Sequence, residues 1–223
     1  MPYQILPVKV QFAFFKNYSY VLTDLATMET AIIDPAWQLH RIQSIINRHG
    51  LNLTAILLTH SHFDHTNLVK PLVKRYQPGV YISSGEIARY KYKCPNLRPV
   101  EQDSRITLGE TVITCLETPG HSAGSMCFML PGALFTGDTV FIEGCGMCNT
   151  PGGDPFAMYQ SIQRIKQWAP PDTAIYPSHS YGKPPGYPLS FLLKHNVYFR
   201  FESSADFVAH RMRPRQRKLF DFK

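Results

Sequence analysis

Three imidazoles and one carboxylate lie within six consecutive residues. They are His60, His62, Asp64 and His65. Imidazole nitrogens and carboxylate oxygens are the ligands that zinc and other borderline divalent ions prefer. The preceding residues 55–58 are all apolar, which predicts a buried strand that ends in a turn at this point. On such a turn His60 and His62 can face one ion, while Asp64 and His65 can face a second ion beside it.

Three further candidate ligands each follow an apolar strand pattern. They are His121 after residues 112–118, Asp138 after residues 133–137, and His179 after residues 174–177. Because the ends of several strands collect at one rim of a sheet, one shared site explains these residues better than separate coincidences. Gly120 and Gly137 precede two of the candidates and permit tight turns or a close backbone approach. The remaining histidines lack such companions and are expected not to bind metal: His40, His49, His195 and His210.

The elements that position these residues are predicted from apolar periodicity and turn residues. Residues 5–14 and 18–23 favour a hairpin with its turn at Lys16-Asn17, and residues 30–33 lead into an Asp34-Pro35 turn. Further strands are predicted at 54–58, 80–83, 105–108, 111–117, 125–130, 133–137 and 174–177, and helices at 37–49, 67–77, 84–92 and 155–168. Strands and helices alternate without a break in composition, so we expect one mixed α/β (α+β) domain over residues 1–209.

The composition is that of one globular domain. Of the 223 residues, 44% are hydrophobic and 17% are charged, which excludes a disordered or fibrous protein. No stretch is long and apolar enough to cross a bilayer, and residues 1–10 lack a secretory signal, so we expect a cytoplasmic protein without a membrane partner. The odd, scattered set of five cysteines predicts no disulfide framework. Cys145 and Cys148 are expected to be loop cysteines near the site.

The net charge of +7 is concentrated at one end of the chain. Residues 210–223 contain six Lys or Arg and one Asp, so this basic C-terminal tail accounts for +5 of the total. A nucleic-acid-binding fold spreads its basic residues over the body of the domain. The distribution therefore argues against specific binding of nucleic acid and predicts a solvated tail.

The histidine-rich segment 59–65, followed by His121, Asp138 and His179 in this order and spacing, resembles the metallo-β-lactamase-fold hydrolases over residues 8–181. Within that superfamily, residues 136–141 and Gly144-Cys145-Gly146 resemble the glyoxalase II branch, whose members hydrolyse thioesters. The resemblance implies a four-layer αβ/βα sandwich with two Zn²⁺ per chain at its edge, iron and manganese being the alternatives. By position, the first ion would be held by His60, His62 and His121, the second by Asp64, His65 and His179, and Asp138 would bridge them.

The resemblance also implies roles in catalysis and substrate binding. Asp64 would help to orient the attacking hydroxide, and Asp138 would set the spacing of the ions. Glyoxalase II enzymes hold glutathione with a lysine directly after Gly-Cys-Gly and a tyrosine two residues later, where this chain has Met147 and Asn149. A third contact, a tyrosine two residues beyond the last metal histidine, is kept as Tyr181. The expected substrate contacts are therefore Tyr181, Asn149, Met147 and, as a minor candidate, Cys145.

These departures leave the metal site intact and change the glutathione site. Only about forty residues follow His179, so the helical C-terminal domain that completes the glutathione site is expected to be missing. The chain in this respect resembles the smaller zinc hydrolases associated with polyketide biosynthesis. The predicted substrate is an acyl thioester, with coenzyme A or an acyl carrier protein as the thiol partner.

Three other interpretations are consistent with parts of the sequence. A persulfide dioxygenase with a single iron uses only part of the same ligand set, whereas here the residues for a second ion are also present. A nucleic-acid-processing or nucleic-acid-binding protein is suggested only by the charge of the tail. A closed structural metal site is disfavoured by the position of the ligands at a sheet rim and by the bridging carboxylate.

Overall fold

The computed structural model describes residues 2–13 and 15–214. Its strands, in chain order, are β1 Tyr3–Phe12, β2 Phe15–Asp24, β3 Glu29–Ile33, β4 Asn52–Leu57, β5 Gly79–Ser83, β6 Leu97–Val100, β7 Arg105–Leu108, β8 Thr111–Glu117, β9 Met126–Leu130, β10 Ala133–Gly137, β11 Val140–Phe141, β12 Gly144–Cys145, β13 Ala174–Pro177 and β14 Tyr187–Pro188. Within the described residues, one sheet has the order β1-β2-β3-β4-β5-β6 and the other the order β14-β13-β10-β9-β8-β7, while β11 and β12 form a short ribbon.

The helices lie on the outer faces of these sheets. They are α1 Leu39–Arg48, α2 Phe63–Thr66, α3 Val69–Tyr76, α4 Ser84–Tyr90, α5 Pro155–Trp168, α6 Leu189–His195 and α7 Ser204–Arg211, with a 3₁₀ turn at Val197–Phe199. The start of α5 is specified locally, because the Asp154 side chain accepts hydrogen bonds from the backbone N–H groups of Phe156 and Ala157, and Pro155 occupies the first turn. None of the helices in the described part of the chain is long and apolar enough to span a membrane.

Three apolar clusters separate four layers. Leu57 and Phe135 belong to the cluster between the two sheets. Their neighbours in sequence point the other way: Ile56 packs with residues of α1 and α3, and Leu134 with residues of α5, α6 and α7. Both central strands are therefore buried on both faces, which explains their unbroken apolar runs. The arrangement is an αβ/βα sandwich, and it confirms the predicted fold class.

Most predicted elements agree with the structure within about two residues, but the first hairpin does not. The chain reverses at Ala13, which has a φ of +53°, and Phe12 pairs with Phe15. The predicted turn residues Lys16 and Asn17 lie inside β2. Asparagine is common in turns, yet Asn17 is buried and contributes its side chain to the site described below.

The sequence patterns did not indicate β6 at the edge of the first sheet, nor α6 and α7 in the C-terminal part. Helix α7 continues through the predicted domain boundary at residue 209. Arg211 was expected in a solvated tail, but it is buried and its Nε donates to the backbone oxygen of Gly146 at 2.8 Å. Burial of Phe207 against α5 residues holds this short helix in place, and periodicity over eight residues is too brief to reveal it. Residues 215–223, including Arg215, Arg217 and Lys218, lie outside the described residues.

Candidate metal centre

The seven predicted ligands come together where the two sheets share an edge. After β4, the loop carries His60 and His62 and the short helix α2 carries Asp64 and His65. The loops after β8, β10 and β13 supply the other three, His121, Asp138 and His179. The backbone N–H of Met126 in β9 donates to the oxygen of Thr59 at 2.9 Å and joins the two sheets beside the site. Gly137 has a φ of +51°, and a Cβ at this position would overlap Thr59 Oγ1, so only glycine lets the two strand ends approach.

Three imidazole nitrogens form the first group of candidate ligands. His62 Nδ1 lies 3.0 Å from His60 Nε2 and 3.0 Å from His121 Nε2. The rings stand nearly perpendicular to one another, so their nitrogens converge on one point. Three nitrogens arranged in this way match the donor set of a catalytic zinc site.

The second group consists of Asp64, His65 and His179. Asp64 Oδ2 lies 3.6 Å from His65 Nε2 and 3.4 Å from His179 Nε2. All ligand atoms of this group lie within 4.8 Å of one another. The group combines two imidazoles with a carboxylate, a donor set that also suits a divalent cation.

Asp138 faces both groups at once. Its Oδ1 lies 3.6 Å from His65 Nε2 and 3.5 Å from His179 Nε2, and its Oδ2 lies 3.6 Å from His121 Nε2. Among the described residues, the buried atoms Asp138 Oδ1 and His65 Nε2 have no hydrogen-bond partner. Buried polar atoms without a partner are costly, and a cation between them would satisfy both. The residues therefore fit the binding of divalent cations, and Asp138 faces both groups of candidate ligands.

The two groups differ in their protonation. Burial, reinforced by neighbouring imidazoles, holds the pKa of His60 well below its usual value, and burial lowers the pKa of His121 to about 4. Burial would also lower the pKa of His65, but the carboxylates of Asp64, Asp138 and Asp34 together raise it to about 10. Burial alone would raise the pKa of Asp64, but His65 and His179 hold it well below its usual range. Without metal, the first group is neutral at pH 7, whereas the second is an ion-pair network.

The family assignment follows from a match over most of the chain. Residues 13–179 match the metallo-β-lactamase superfamily. The chain belongs to this superfamily. It is 41% identical over 223 residues to the "probable polyketide biosynthesis zinc-dependent hydrolase PksB" of Bacillus subtilis, covering 100% of this chain and 99% of that protein.

Two further similarities agree with this assignment. The chain is 42% identical over 221 residues to the "probable polyketide biosynthesis zinc-dependent hydrolase BaeB" of Bacillus velezensis, covering 99% of this chain and 98% of that protein. The crystal structure of ETHE1 from Myxococcus xanthus superimposes with a TM-score of 0.83 at 27% identity, covering 97% of this chain and 95% of that chain. The predicted family resemblance is confirmed.

Behind the candidate ligands lies a set of hydrogen bonds that orients the histidines. Asp34 Oδ2 accepts from His65 Nδ1 at 2.9 Å and from Ser178 Oγ at 2.7 Å. The backbone oxygens of Met147 and Lys16 lie 2.7 and 2.8 Å from the Nδ1 atoms of His121 and His179. A carbonyl only accepts, so these two Nδ1 atoms carry the protons, and the Nε2 atoms are left facing the metal centre.

Three buried polar residues of the site were not predicted from the sequence: Asn17, Asp34 and Glu86. Asn17 Nδ2 donates to Asp64 Oδ2 at 3.1 Å. Glu86 accepts from the backbone N–H groups of Ser61 and Gly124 at 2.7 and 3.0 Å, and so ties the histidine loop to the loop of His121. The sequence contained a signal for Asp34, because this residue directly follows β3, beside the strand that leads to His60. None existed for Glu86.

The predicted substrate contacts fall into different environments. Met147 and Asn149 line a cavity of about 230 Å³ together with Arg211 and Arg213. Met147 and Asn149 carry no charge themselves, but α7 and the residues after it bring two arginines to the same cavity. Cys145 lies in β12 and is fully buried in the core beneath α5, so it is not the loop cysteine that the sequence predicted, and its thiol is not exposed to a substrate.

Tyr181 lies beside the second ligand group. Its ring stacks on that of His179, with centroids 5.5 Å apart and 26° between the planes. Burial, with a further contribution from the carboxylates of Asp138 and Asp64, raises the pKa of Tyr181 above its usual value. The phenol therefore keeps its proton at neutral pH.

Proposed function

We propose that this chain is a zinc-dependent hydrolase that cleaves an acyl thioester, and that its active form carries two zinc ions. The observation that carries the proposal is the position of Asp138, whose two oxygens face two complete groups of candidate ligands. Support for zinc and hydrolysis comes from two relatives that are named zinc-dependent hydrolases and match over the whole chain.

The residues that would hold the metal are those grouped above. His60, His62 and His121 would hold one ion, and Asp64, His65 and His179 the other. Asp138, which lies near His121 and near His65 and His179, would contribute to both. When bound, zinc supplies Lewis acidity toward a carbonyl oxygen and lowers the pKa of water. A donor set with imidazoles and two carboxylates also accepts iron or manganese, so the metal must be identified by analysis.

The chain's own groups prepare the site for attack on a carbonyl carbon. Asn17 fixes the ionised Asp64 carboxylate through its Nδ2, and Asp64 helps to orient the attacking water. Asp138 keeps the two ligand groups at a constant separation. The Tyr181 O–H can donate to the substrate beside His179. A thioester suits this site because a thiolate leaves without a strong general acid.

The thiol partner that we propose is a phosphopantetheine arm, carried by coenzyme A or by an acyl carrier protein. Supporting this, the cavity lined by Arg211 and Arg213 borders Met147, whose backbone oxygen contacts His121 of the first ligand group. Guanidinium groups bind phosphate well and attract acidic protein surfaces. The names of the two relatives, which place them in polyketide biosynthesis, agree with a carrier-bound acyl group.

Metal analysis combined with a thioester panel tests the proposal. We expect about two zinc ions per chain in the active protein, loss of activity in His62→Ala and His179→Ala, and turnover of acyl-carrier or coenzyme A thioesters well above that of lactoylglutathione. One ion per chain together with full activity of His179→Ala would contradict the two-ion centre. Absence of turnover on every thioester by protein with both ions bound would contradict the reaction.

A further inference from the structure

Three aromatic side chains lie together on the surface beside the metal centre, and we call them the aromatic rim: Phe12, Trp37 and Phe63. The rings of Phe12 and Trp37 are stacked, with centroids 5.3 Å apart. The rings of Trp37 and Phe63 meet edge to face, with centroids 5.9 Å apart. Phe12 is 63% exposed and Phe63 is 71% exposed. Large aromatic side chains are normally buried, and exposed clusters of them mark binding surfaces.

The aromatic rim adjoins the second ligand group. Phe63 stands between the ligands His62 and Asp64 in the sequence. Trp37 Nε1 donates to Asn17 Oδ1 at 2.8 Å, and Asn17 Nδ2 in turn donates to the backbone oxygen of Asp64 at 3.1 Å. Two hydrogen bonds thus connect the central ring of the aromatic rim to a candidate metal ligand.

The backbone of Trp37 is held in an unfavourable conformation. Its φ is +62°, a region that bulky residues rarely adopt. The conformation is stabilised by Asn67 Oδ1, which accepts from the Trp37 backbone N–H at 2.8 Å. Strained residues that the surroundings hold in place cluster at functional sites. The fold therefore holds the Trp37 backbone in this conformation beside the metal centre, with the indole half-buried.

We propose that the aromatic rim binds the acyl chain of the substrate, and that the preferred acyl group is an extended apolar chain. This inference rests on the proposed thioester hydrolysis. Met147 lines the arginine-lined cavity, and its backbone oxygen contacts His121 of the first group, whereas the aromatic rim is connected through Asn17 to Asp64 of the second. The two surfaces match the two ends of an acyl-phosphopantetheine thioester, with a charged arm on one side of the reacting carbonyl and an apolar chain on the other.

A substrate chain fits the aromatic rim better than a protein partner does. An aromatic side chain buries about 150–250 Å² when it is covered completely, and the three rings already cover part of one another. A stable interface needs about 800 Å² from each partner. The aromatic rim is therefore too small to hold a second copy of the chain by itself.

The first test measures kcat/KM of the zinc-loaded enzyme on N-acetylcysteamine thioesters from acetyl to octanoyl. Burial of one CH₂ is worth up to about fourfold, so we expect at least about a tenfold gain from butanoyl to octanoyl on this one-sided surface. Phe63→Ala should lower the octanoyl-to-acetyl ratio by at least about fivefold. The matched control is Leu25→Ala, which removes another exposed apolar side chain, 52% exposed, at the other end of β2 and should leave the ratio unchanged.

The second test observes binding without turnover. The chain has two tryptophans, so the Trp168→Phe variant leaves Trp37 as the only indole. Titration with the S-octyl thioether of N-acetylcysteamine should give a saturable change in Trp37 emission, and Phe63→Ala should weaken this binding at least about fivefold. The S-methyl thioether should give no saturable change over the same concentration range.

The outcomes separate this inference from the proposed function. Hydrolysis that does not depend on chain length, with no response of Trp37, would overturn the aromatic rim as an acyl site and leave thioester hydrolysis standing. If no thioester is hydrolysed but Trp37 responds to the octyl compound, the reaction is wrong and the apolar chain site is supported. A dimer in sedimentation that Phe63→Ala converts to monomers would assign the surface to a second copy and overturn the proposal.

Discussion

Asp34 and His65 form a buried pair, with Asp34 Oδ2 2.9 Å from His65 Nδ1. Asp34 is not a candidate ligand, because its oxygens are engaged by His65, Thr59 and Ser178. The carboxylate fixes the ring so that Nε2 faces the metal centre, and it also ties the end of β3 to the loops after β4 and β13. One buried charge thus connects both sheets to the second ligand group.

We predict that Asp34→Asn lowers the affinity of the second zinc ion by about 10–100-fold and lowers kcat in parallel, because an amide orients the imidazole less strongly than a carboxylate. Competition with a chromophoric chelator measures the affinity. Asp24→Asn is the matched control, since Asp24 is also buried and accepts hydrogen bonds from Thr111 and Thr27, but at the other end of β2. If Asp34→Asn binds the second zinc ion as tightly as the wild type does, Asp34 has no such role.

We predict that zinc binding to the second group releases protons and zinc binding to the first group does not. The pKa of His65 is raised to about 10, so its imidazole must lose a proton at pH 7 before it binds metal, whereas the pKa of His121 is about 4. The affinity of the second ion should therefore rise about tenfold per pH unit for each proton displaced, up to about pH 10. Calorimetric titration in buffers of different ionisation enthalpy counts these protons. Equal proton release in both binding steps would contradict the assignment.

We predict that Arg213→Gln lowers kcat/KM for an acyl-carrier thioester about tenfold at low salt and has little effect on the N-acetylcysteamine thioester. Attraction between Arg213 in the cavity and an acidic partner is screened over about 8 Å at physiological salt, so the difference should shrink in 1 M salt. Arg48→Gln on the outer helix α1 removes the same charge and serves as the control.

A truncated chain extends the same test to the basic tail. The chain should end at Pro214 and not at residue 209, because removal of the buried Arg211 would also disturb the fold. If the tail takes part in carrier recognition, the truncation lowers the rate on the carrier thioester alone. If the truncated chain and the full chain have equal rates on both substrates, residues 215–223 have no role in carrier recognition.

We predict that Gly137→Ala destabilises the protein and abolishes tight zinc binding. An alanine with positive φ costs about 1–2 kcal/mol, and the overlap of its Cβ with Thr59 adds about 1–3 kcal/mol. Gly50→Ala is the matched control, because Gly50 has a similar φ of +58° with nothing within 4 Å of the added Cβ. Urea unfolding and zinc titration of both variants separate strain from overlap. Similar losses of stability and of zinc affinity in the two variants would show that the close approach of Gly137 to Thr59 is unimportant.

The fold and the candidate ligands were largely predictable from the sequence, because both depend on local patterns. Unbroken apolar runs identify strands buried on both faces, and a polar residue directly after such a run must lie at the sheet edge. His60, His121, Asp138 and His179 each follow a strand within four residues, although polar residues interrupt the apolar pattern of the strand before His121. The cluster 60–65 adds the residue types that bind divalent ions. Local order along the chain was therefore enough to predict that these seven residues lie together at one edge.

Tertiary structure decided which groups support and surround those ligands. Asn17 is of a residue type common in turns, but it lies in β2 and bonds Asp64, 47 residues away. Arg211 belongs to a basic run in the sequence, but its side chain donates to the backbone oxygen of Gly146, 65 residues away. Phe12, Trp37 and Phe63 come from three segments whose patterns give no sign that they meet. Such pairings depend on strand register and on the packing of distant segments. Composition and periodicity report the propensity and burial of a segment, but they do not specify its partner.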